Sequence, residues 1–296
     1  MANNLFVRRN TARVRALFQT VFAMRAILAI SMLSLSLSGC LDNNELAAKT
    51  AKVIGQITTS LDQASSQESP LSESVSLVSG KGDVGHRDFN AAKKVLPRVF
   101  AGMEVDFYCG CAYSGKTVDL DSCGYVPRKN PTRAGRIEWE HVVPASHLGS
   151  QRQCWQHGGR KNCTASDKLF AQMEGDLNNL VPAVGEVNGD RGNLSYGAWA
   201  RNPTPVYGQC QSLPDFKLKR FQPREEVRGR AARISLYMHQ RYNLKMSNQD
   251  KQLWCAWAKT YPVDDWERRR DERIIKLQGE GNALVNDPGK LVALCG

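Results

Sequence analysis

Apolar residues recur along most of this chain at intervals of three and four. Between Asp167 and Leu177 they fall at Leu169, Phe170, Met173 and Leu177, behind Ser166. That spacing predicts an α-helix with one buried face and Ser166 as its capping hydroxyl. A second stripe, Val227, Ala231, Ile234, Tyr237 and Met238, follows Pro223. Two further helical segments run from Lys251 to Lys259 and from Asp264 to Leu277, the latter dense in paired charges. Nearer the front, Asp88 caps a helix through Ala91, Ala92 and Val95 to about Leu96, where Pro97 intervenes. Strand signals are sparser. Ile137 to Val143 gathers β-branched and aromatic residues into one short run. From Val105 to Tyr125 the chain is dense in Cys, Gly and Tyr, which predicts a disulfide-stapled loop or small hairpin. No internal repeat is visible. The predicted class is α+β, mainly helical: an irregular body closed by disulfides rather than a regular sheet fold.

The same patterning separates the front of the chain from its body. Residues 1–39 hold five arginines and no acid, then an apolar run from Ala26 to Leu37 that ends in Leu37-Ser38-Gly39-Cys40. An arginine-rich start, an apolar core and small residues before a cleavage point make an export signal. The run is too short and serine-rich to span a membrane well. Its end resembles a bacterial lipobox, which implies cleavage before Cys40 and lipidation of that cysteine; an uncleaved anchor or simple secretion is the competing reading. Met24-Arg25 offers an alternative start to Met1. Residues 41–85 are rich in Ser, Gln, Asn, Ala and Asp and contain no aromatic residue. They predict a flexible tether, with Leu46 to Leu61 able to form a short helix. The expected division is a signal peptide at 1–39, a lipidated cysteine and tether at 40–85, and one folded domain at 86–296.

Charge and cysteines follow this division. The formal net charge of the 296-residue chain is +11, and acids outnumber lysines in the tether, so the positive excess falls on the leader and the body. A basic body behind an acidic tether points to a polyanionic partner, although many exported proteins are basic without touching nucleic acid. Of nine cysteines, setting Cys40 aside leaves Cys109, Cys111, Cys123, Cys154, Cys163, Cys210, Cys255 and Cys295. An even set in an exported chain reads as four disulfides. Zinc is the rival, since Cys109-Gly110-Cys111 could begin a thiolate site, but no CxxC pair exists to complete it. Spacing settles no connectivity; Cys154 with Cys163 is only the most local pairing.

Candidate chemistry centres on Arg136-Ile137-Glu138-Trp139-Glu140-His141-Val142-Val143-Pro144-Ala145. A carboxylate can hold a divalent cation while a neutral histidine beside it takes a proton from water. That combination suits phosphodiester hydrolysis, which needs an activated water, charge neutralisation at phosphorus and a stabilised leaving oxygen. In a regular strand Glu140 and His141 point to opposite faces, so they share a site only if the strand bends or ends there. Pro144 fits such an ending. A second stretch, Asn178 to Asn193, is rich in amides that could offer a neutral oxygen to a metal and contains Arg191; on its own it reads as a polar turn.

Taken together these stretches resemble the bacterial endonuclease I family of periplasmic and secreted non-specific nucleases. The resemblance runs in order through Glu138-Trp139-Glu140-His141-Val142-Val143-Pro144-Ala145, Arg152-Gln153-Cys154-Trp155, Gly158-Gly159-Arg160-Lys161, Asp176-Leu177-Asn178-Asn179-Leu180-Val181-Pro182-Ala183, Gly185-Glu186-Val187-Asn188-Gly189-Asp190-Arg191, Trp266-Glu267 and Gln278-Gly279. It covers roughly residues 86–281. It implies a ββα-metal (His-Me finger) motif in a mainly helical body. By motif, His141 is the general base, Glu140 and Asn188 are the protein ligands of Mg2+ (with Ca2+ or Mn2+ as substitutes), and Arg160 contacts the phosphate. Glu138, Asn179 and Arg191 are expected as supporting residues, with Glu138 either behind the metal site or paired with an arginine such as Arg136. The expected function is metal-dependent, sequence-non-specific cleavage of DNA outside the cytoplasm, leaving 5′-phosphate ends. No residue excludes RNA as a second substrate. A monomer anchored by lipid at Cys40, in the outer membrane, completes the expectation. The lipobox, the tether and the missing Asn-Arg-Asn-Pro pattern after Gln278-Gly279 depart from the family. A non-catalytic DNA-binding surface lipoprotein is the alternative.

Other residues read more simply. His147 lies six positions beyond His141, not at zinc-protease spacing, and His86, His157 and His239 default to structural or surface roles. Trp139, Trp155, Trp254 and Trp257 are expected to be buried rather than base-stacking, and Arg268-Arg269-Arg270 to form a salt-bridged helix face.

Overall fold

The computed structural model describes residues 88–199 and 201–296. The expected signal peptide, Cys40, the tether with its Leu46–Leu61 helix, and His86 lie outside the described residues. Strand Ile137–His141 pairs antiparallel with Leu180–Val184 in a register that sets Glu138 opposite Ala183, Glu140 opposite Val181 and His141 opposite Leu180. The second strand runs directly into helix Gly185–Arg191, so strand, strand and helix form a ββα unit. Four short helices fill the interval between the strands: Ala145–Gly149, Gln153–Gln156, Gly159–Ser166 and Lys168–Gly175.

The stretch Asn178–Asn193 is therefore not a polar turn. Leu180–Val184 is buried along its whole length, so it shows an apolar run instead of alternation. Pro182 is tolerated because its carbonyl accepts from Phe107 N–H at 2.8 Å. A strand residue points its N–H and C=O to the same side, so the missing N–H faces Phe107 and not the ladder with Ile137–His141.

The predicted helices are present with shifted ends. Helix Phe89–Phe100 is capped by Asp88, whose side chain accepts from Ala91 N–H, but it continues through Pro97. Proline at this position removes the bond to the Lys93 carbonyl, which lies on the exposed side where water replaces it. Burial of Ala92, Leu96, Val99 and Phe100 carries the helix onward. Asp167, not Ser166, caps Lys168–Gly175, accepting from Phe170 N–H; Ser166 closes the preceding helix, its hydroxyl donating to Asn162 O at 2.7 Å. The stripe behind Pro223 becomes Arg228–Arg241, with Val227, Ala231, Ile234, Tyr237 and Met238 all buried. Asn248–Thr260 and Asp265–Gln278 contain the other two segments, capped by Ser247 and Asp264.

Two buried clusters hold these elements. The larger one joins Tyr108, Val142, Phe170, Val181, Val187 and Leu236. The smaller one, Leu96, Phe100, Leu177, Leu180 and Ile274, seats helices Phe89–Phe100 and Asp265–Gln278 against the end of the strand pair. All eight expected cysteines are oxidised, as Cys109–Cys210, Cys111–Cys123, Cys154–Cys163 and Cys255–Cys295, which removes zinc as their role. The second bridge staples the predicted hairpin, Tyr113–Ser114 against Thr117–Val118, and the last pins the C-terminal tail. The arginine run divides. Arg268 pairs with Asp265 at the surface, whereas Arg270 is buried and donates to the carbonyls of Leu177, Asn178 and Leu180.

Candidate functional site

A cleft of about 850 Å³ opens over the end of strand Ile137–His141. The strand contributes Glu138, Glu140 and His141 to it, helix Gly185–Arg191 contributes Asn188, and helix Gly159–Ser166 contributes Arg160. Glu140 and His141 reach one cleft because the ladder stops at His141. Arg191 holds that exit, donating to the carbonyls of His141 at 2.8 Å and Val142 at 2.6 Å. Asn179 clamps the next residue: its Oδ1 accepts from Val143 N–H at 2.7 Å and its Nδ2 donates to Val143 O at 3.0 Å.

Glu140 is buried, ion-paired with Arg191 at 3.0 Å, and accepts from the Tyr108 hydroxyl at 2.9 Å. Burial raises its carboxyl above the ordinary range, against the pull of the Arg191 guanidinium and the Tyr108 hydroxyl. A carboxylate under that pressure gains from a further cation. His141 Nε2 lies 2.8 Å from the carbonyl oxygen of Glu174. A carbonyl only accepts, so Nε2 carries the proton and Nδ1 the lone pair. Burial, reinforced by the Arg160 charge, pulls the imidazole down to about 3, so the ring is neutral at ordinary pH. The Glu174 carboxylate, itself buried, receives Arg160 Nε and the Thr164 hydroxyl. Among the described residues the two Nη groups of Arg160 have no hydrogen-bond acceptor.

Glu138 pairs with arginine, Arg136 as expected and Arg133 besides, and also touches Asn188. It accepts from Arg133 Nη2 at 2.6 Å and Arg136 Nη2 at 3.0 Å, and Asn188 Nδ2 donates to its Oε2 at 3.1 Å. Burial pushes the Glu138 carboxyl up, but the hydrogen bonds from Arg133 and Arg136 outweigh it and hold the group below its ordinary value. With the Asn188 nitrogen engaged there, its Oδ1 has no protein donor among the described residues. One buried carboxylate and one free amide oxygen in a single cleft form a hard donor set that fits Mg2+, Ca2+ or Mn2+. Among the described residues no group of three or more His, Cys, Asp or Glu could hold a metal ion, so an ion here would rest on these two ligands, water and substrate.

The family model described as Endonuclease I matches residues 98–289. The chain belongs to the endonuclease I family. It is similar to an extracellular deoxyribonuclease of Aeromonas hydrophila, 52% identical over 202 residues, which are 67% of this chain and 87% of the relative. A periplasmic deoxyribonuclease of the same organism is 50% identical over 202 residues, covering 67% of this chain and 84% of the relative. Endonuclease-1 of Buchnera aphidicola is 43% identical over 202 residues, covering 67% of this chain and 80% of the relative.

In this endonuclease I family member, sequence reasoning missed Glu174, Arg133 and Tyr108. Tyr108 and Glu174 act through partners more than 30 positions away, and Arg133 reaches Glu138 from five positions away, across the end of a short helix; none stands in a pattern that marks it. Glu174 in helix Lys168–Gly175, an acid directly beside the apolar position Met173, was the one available hint. Asn179 and Arg191 do not line the cleft; they fix the strand end behind it. Trp254 and Trp257 are buried as expected, but Trp139 and Trp155 are half-buried and line the cleft. His147 and His157 are exposed. His239 is half-buried, with Nδ1 donating to Ser235 O at 2.8 Å.

Proposed function

We propose that this chain is an exported, metal-dependent endonuclease that hydrolyses DNA phosphodiester bonds without sequence preference and leaves 5′-phosphate ends. One observation carries the reading: the His141 ring, its Nε2 2.8 Å from the Glu174 carbonyl, lines the same cleft as the buried Glu140 carboxylate. His141 Nδ1 takes a proton from the attacking water. The Arg160 Nη groups meet the phosphate while Glu174 holds the Nε side. Glu138 orients Asn188 through its amide nitrogen. A divalent cation held by Glu140 and Asn188, Mg2+ with Ca2+ or Mn2+ as substitutes, would neutralise charge at phosphorus and assist departure of the 3′ oxygen. Affinity then comes from backbone phosphates, so it falls steeply with salt and varies little with base sequence; RNA follows as a second substrate.

The relatives' names, extracellular and periplasmic deoxyribonuclease, support DNA as substrate and export as destination. Four disulfides suit that compartment. Among the described residues no helix is long and apolar enough to cross a membrane. The proposed attachment is a signal peptide at 1–39, a lipid anchor at Cys40 in the outer membrane, the tether at 40–85 and a monomeric nuclease domain at 86–296. A non-catalytic DNA-binding surface lipoprotein would need the basic charge but none of this geometry. Supercoiled plasmid separates the two. Disulfide-intact protein should nick and linearise it with Mg2+, stop in a chelator, and leave ends that accept a kinase label only after phosphatase treatment. DNA capture that survives the chelator, without any cutting, would overturn the proposal.

A further inference from the structure

Five cationic side chains line the cleft: Lys93, Lys116, Arg133, Arg136 and Arg160. Three are already answered by carboxylates, Arg133 and Arg136 by Glu138 and Arg160 by Glu174. Lys93 and Lys116 have no carboxylate partner among the described residues. An exposed ammonium without a counter-charge, set at the rim of a cleft, is what a polyanionic backbone recognises.

Both lysines are tied to the catalytic side chains. Lys93 stands on helix Phe89–Phe100 with its Nζ 4.8 Å from the centroid of the Phe89 ring. The same ring has the Arg160 guanidinium carbon 5.2 Å from its centroid and the His141 ring 4.6 Å away. Phe89 thus links the free ammonium to both the phosphate arginine and the base. Lys116 sits in the turn between strands Tyr113–Ser114 and Thr117–Val118, and its carbonyl accepts from Ile137 N–H at 2.8 Å. That bond fixes the turn to the first residue of the strand that carries Glu140 and His141. We propose that Lys93 and Lys116 are two DNA-backbone contacts that set how the strand lies across Glu140, His141 and Arg160, with Phe89 holding Lys93 in place. The proposal deepens the nuclease reading above and rests on it.

Each phosphate neutralised contributes about 0.9 to the slope of log affinity against log salt on duplex DNA. Losing one lysine should therefore reduce by about 3.5-fold the affinity lost between roughly 50 and 200 mM salt, equally for every sequence. The test is duplex binding by the full-length, disulfide-intact protein with Mg2+ in a His141→Ala background, which removes cutting. Lys93→Ala and Lys116→Ala should each flatten the slope by about 0.9, and the double variant by about twice that. Lys93→Arg and Lys116→Arg should keep it, and Lys290→Ala, an exposed lysine away from the cleft, should leave it unchanged. In the cleaving protein the alanine variants should lower kcat/KM, and the arginine variants should restore it. An unchanged slope, an equal loss with arginine, or a His141→Ala parent whose DNA binding does not depend on salt would overturn the proposal. Whether the native protein cuts at all is read separately, so failure of the nuclease reading shows as absent cleavage and failure of this one as an unaltered slope.

Discussion

Replacing Arg191 with Met tests how the strand end is held, because it removes a buried charge and strands its partners together. Arg191 is almost wholly buried, pairs with Glu140 at 3.0 Å, and donates to the carbonyls of His141 and Val142. Breaking a buried ion pair from one side costs about 3–5 kcal/mol. Two stranded carbonyls add roughly 1 kcal/mol each. The total is roughly 5–7 kcal/mol, comparable with the whole stability of an ordinary domain, and at about 2–4 °C per kcal/mol it lowers Tm by roughly 10–28 °C. Thermal unfolding followed by far-UV circular dichroism, with disulfides intact, measures this. Glu140→Gln added to Arg191→Met should return a large part of the loss, since the unpaired charge is then gone while the amide oxygen still accepts from Tyr108. The pH dependence carries the same signature. Without Arg191 the Glu140 carboxyl rises further above its unfolded value, so folding takes up a proton. Stability tied to a raised group is present below the unfolded pKa and is lost as pH rises through the folded one. The deficit of Arg191→Met should therefore shrink between pH 7.5 and pH 5. A double variant no more stable than the single one, with a deficit indifferent to pH, would refute the reasoning.

Three other outcomes follow from the same geometry. Glu186 accepts from the backbone N–H of Arg128, Lys129 and Asn130 and from the Tyr125 hydroxyl. Glu186→Gln turns one accepting oxygen into a donor facing two of these groups, at a cost of roughly 2–6 kcal/mol. Burial would raise this carboxyl, but the backbone donors hold it below its ordinary 4.5. The advantage of wild type should thus be complete above about pH 5 and fade as pH falls further, read by thermal unfolding across pH. Cys109→Ala with Cys210→Ala opens a bridge of sequence separation 101, against 9 for Cys154–Cys163; loop entropy predicts losses of about 4.7 and about 2.7 kcal/mol, so the first pair should lower Tm more. Glu138→Ala releases the Asn188 amide and should weaken Mg2+ or Mn2+ binding by about 10–100-fold in calorimetric titration.

What was legible in the sequence was local. The strand expected over Ile137–Val143, which the structure ends at His141, the stripe Val227–Met238 and the even cysteine count each declare themselves within a short window. Leu180–Val184 was hidden because a strand buried on both faces shows no alternation and Pro182 argues against it until its carbonyl is seen to face Phe107. Pro97 misled for a related reason: the apolar face of its helix outweighs one missing hydrogen bond on the exposed side. The candidate site residues were legible as residue types, and the structure brings Glu138, Glu140, His141, Arg160 and Asn188 to one cleft. Their supports were not. Glu174 reaches His141 from 33 positions away and Arg191 from 50, and no spacing rule connects such pairs. Cys154–Cys163 was the most local pairing and Cys111–Cys123 closes the predicted hairpin, whereas Cys109–Cys210 and Cys255–Cys295 join ends that meet only in the folded body.

The central claim is that His141 activates the attacking water while its neighbours bind metal and phosphate. It is tested most directly by comparing plasmid cleavage and DNA binding of wild type and His141→Ala in Mg2+. The account predicts cleavage reduced by at least about 10²–10⁴-fold, the span of a lost general base, with affinity for duplex DNA nearly unchanged. Cleavage at the wild-type rate by His141→Ala would contradict it.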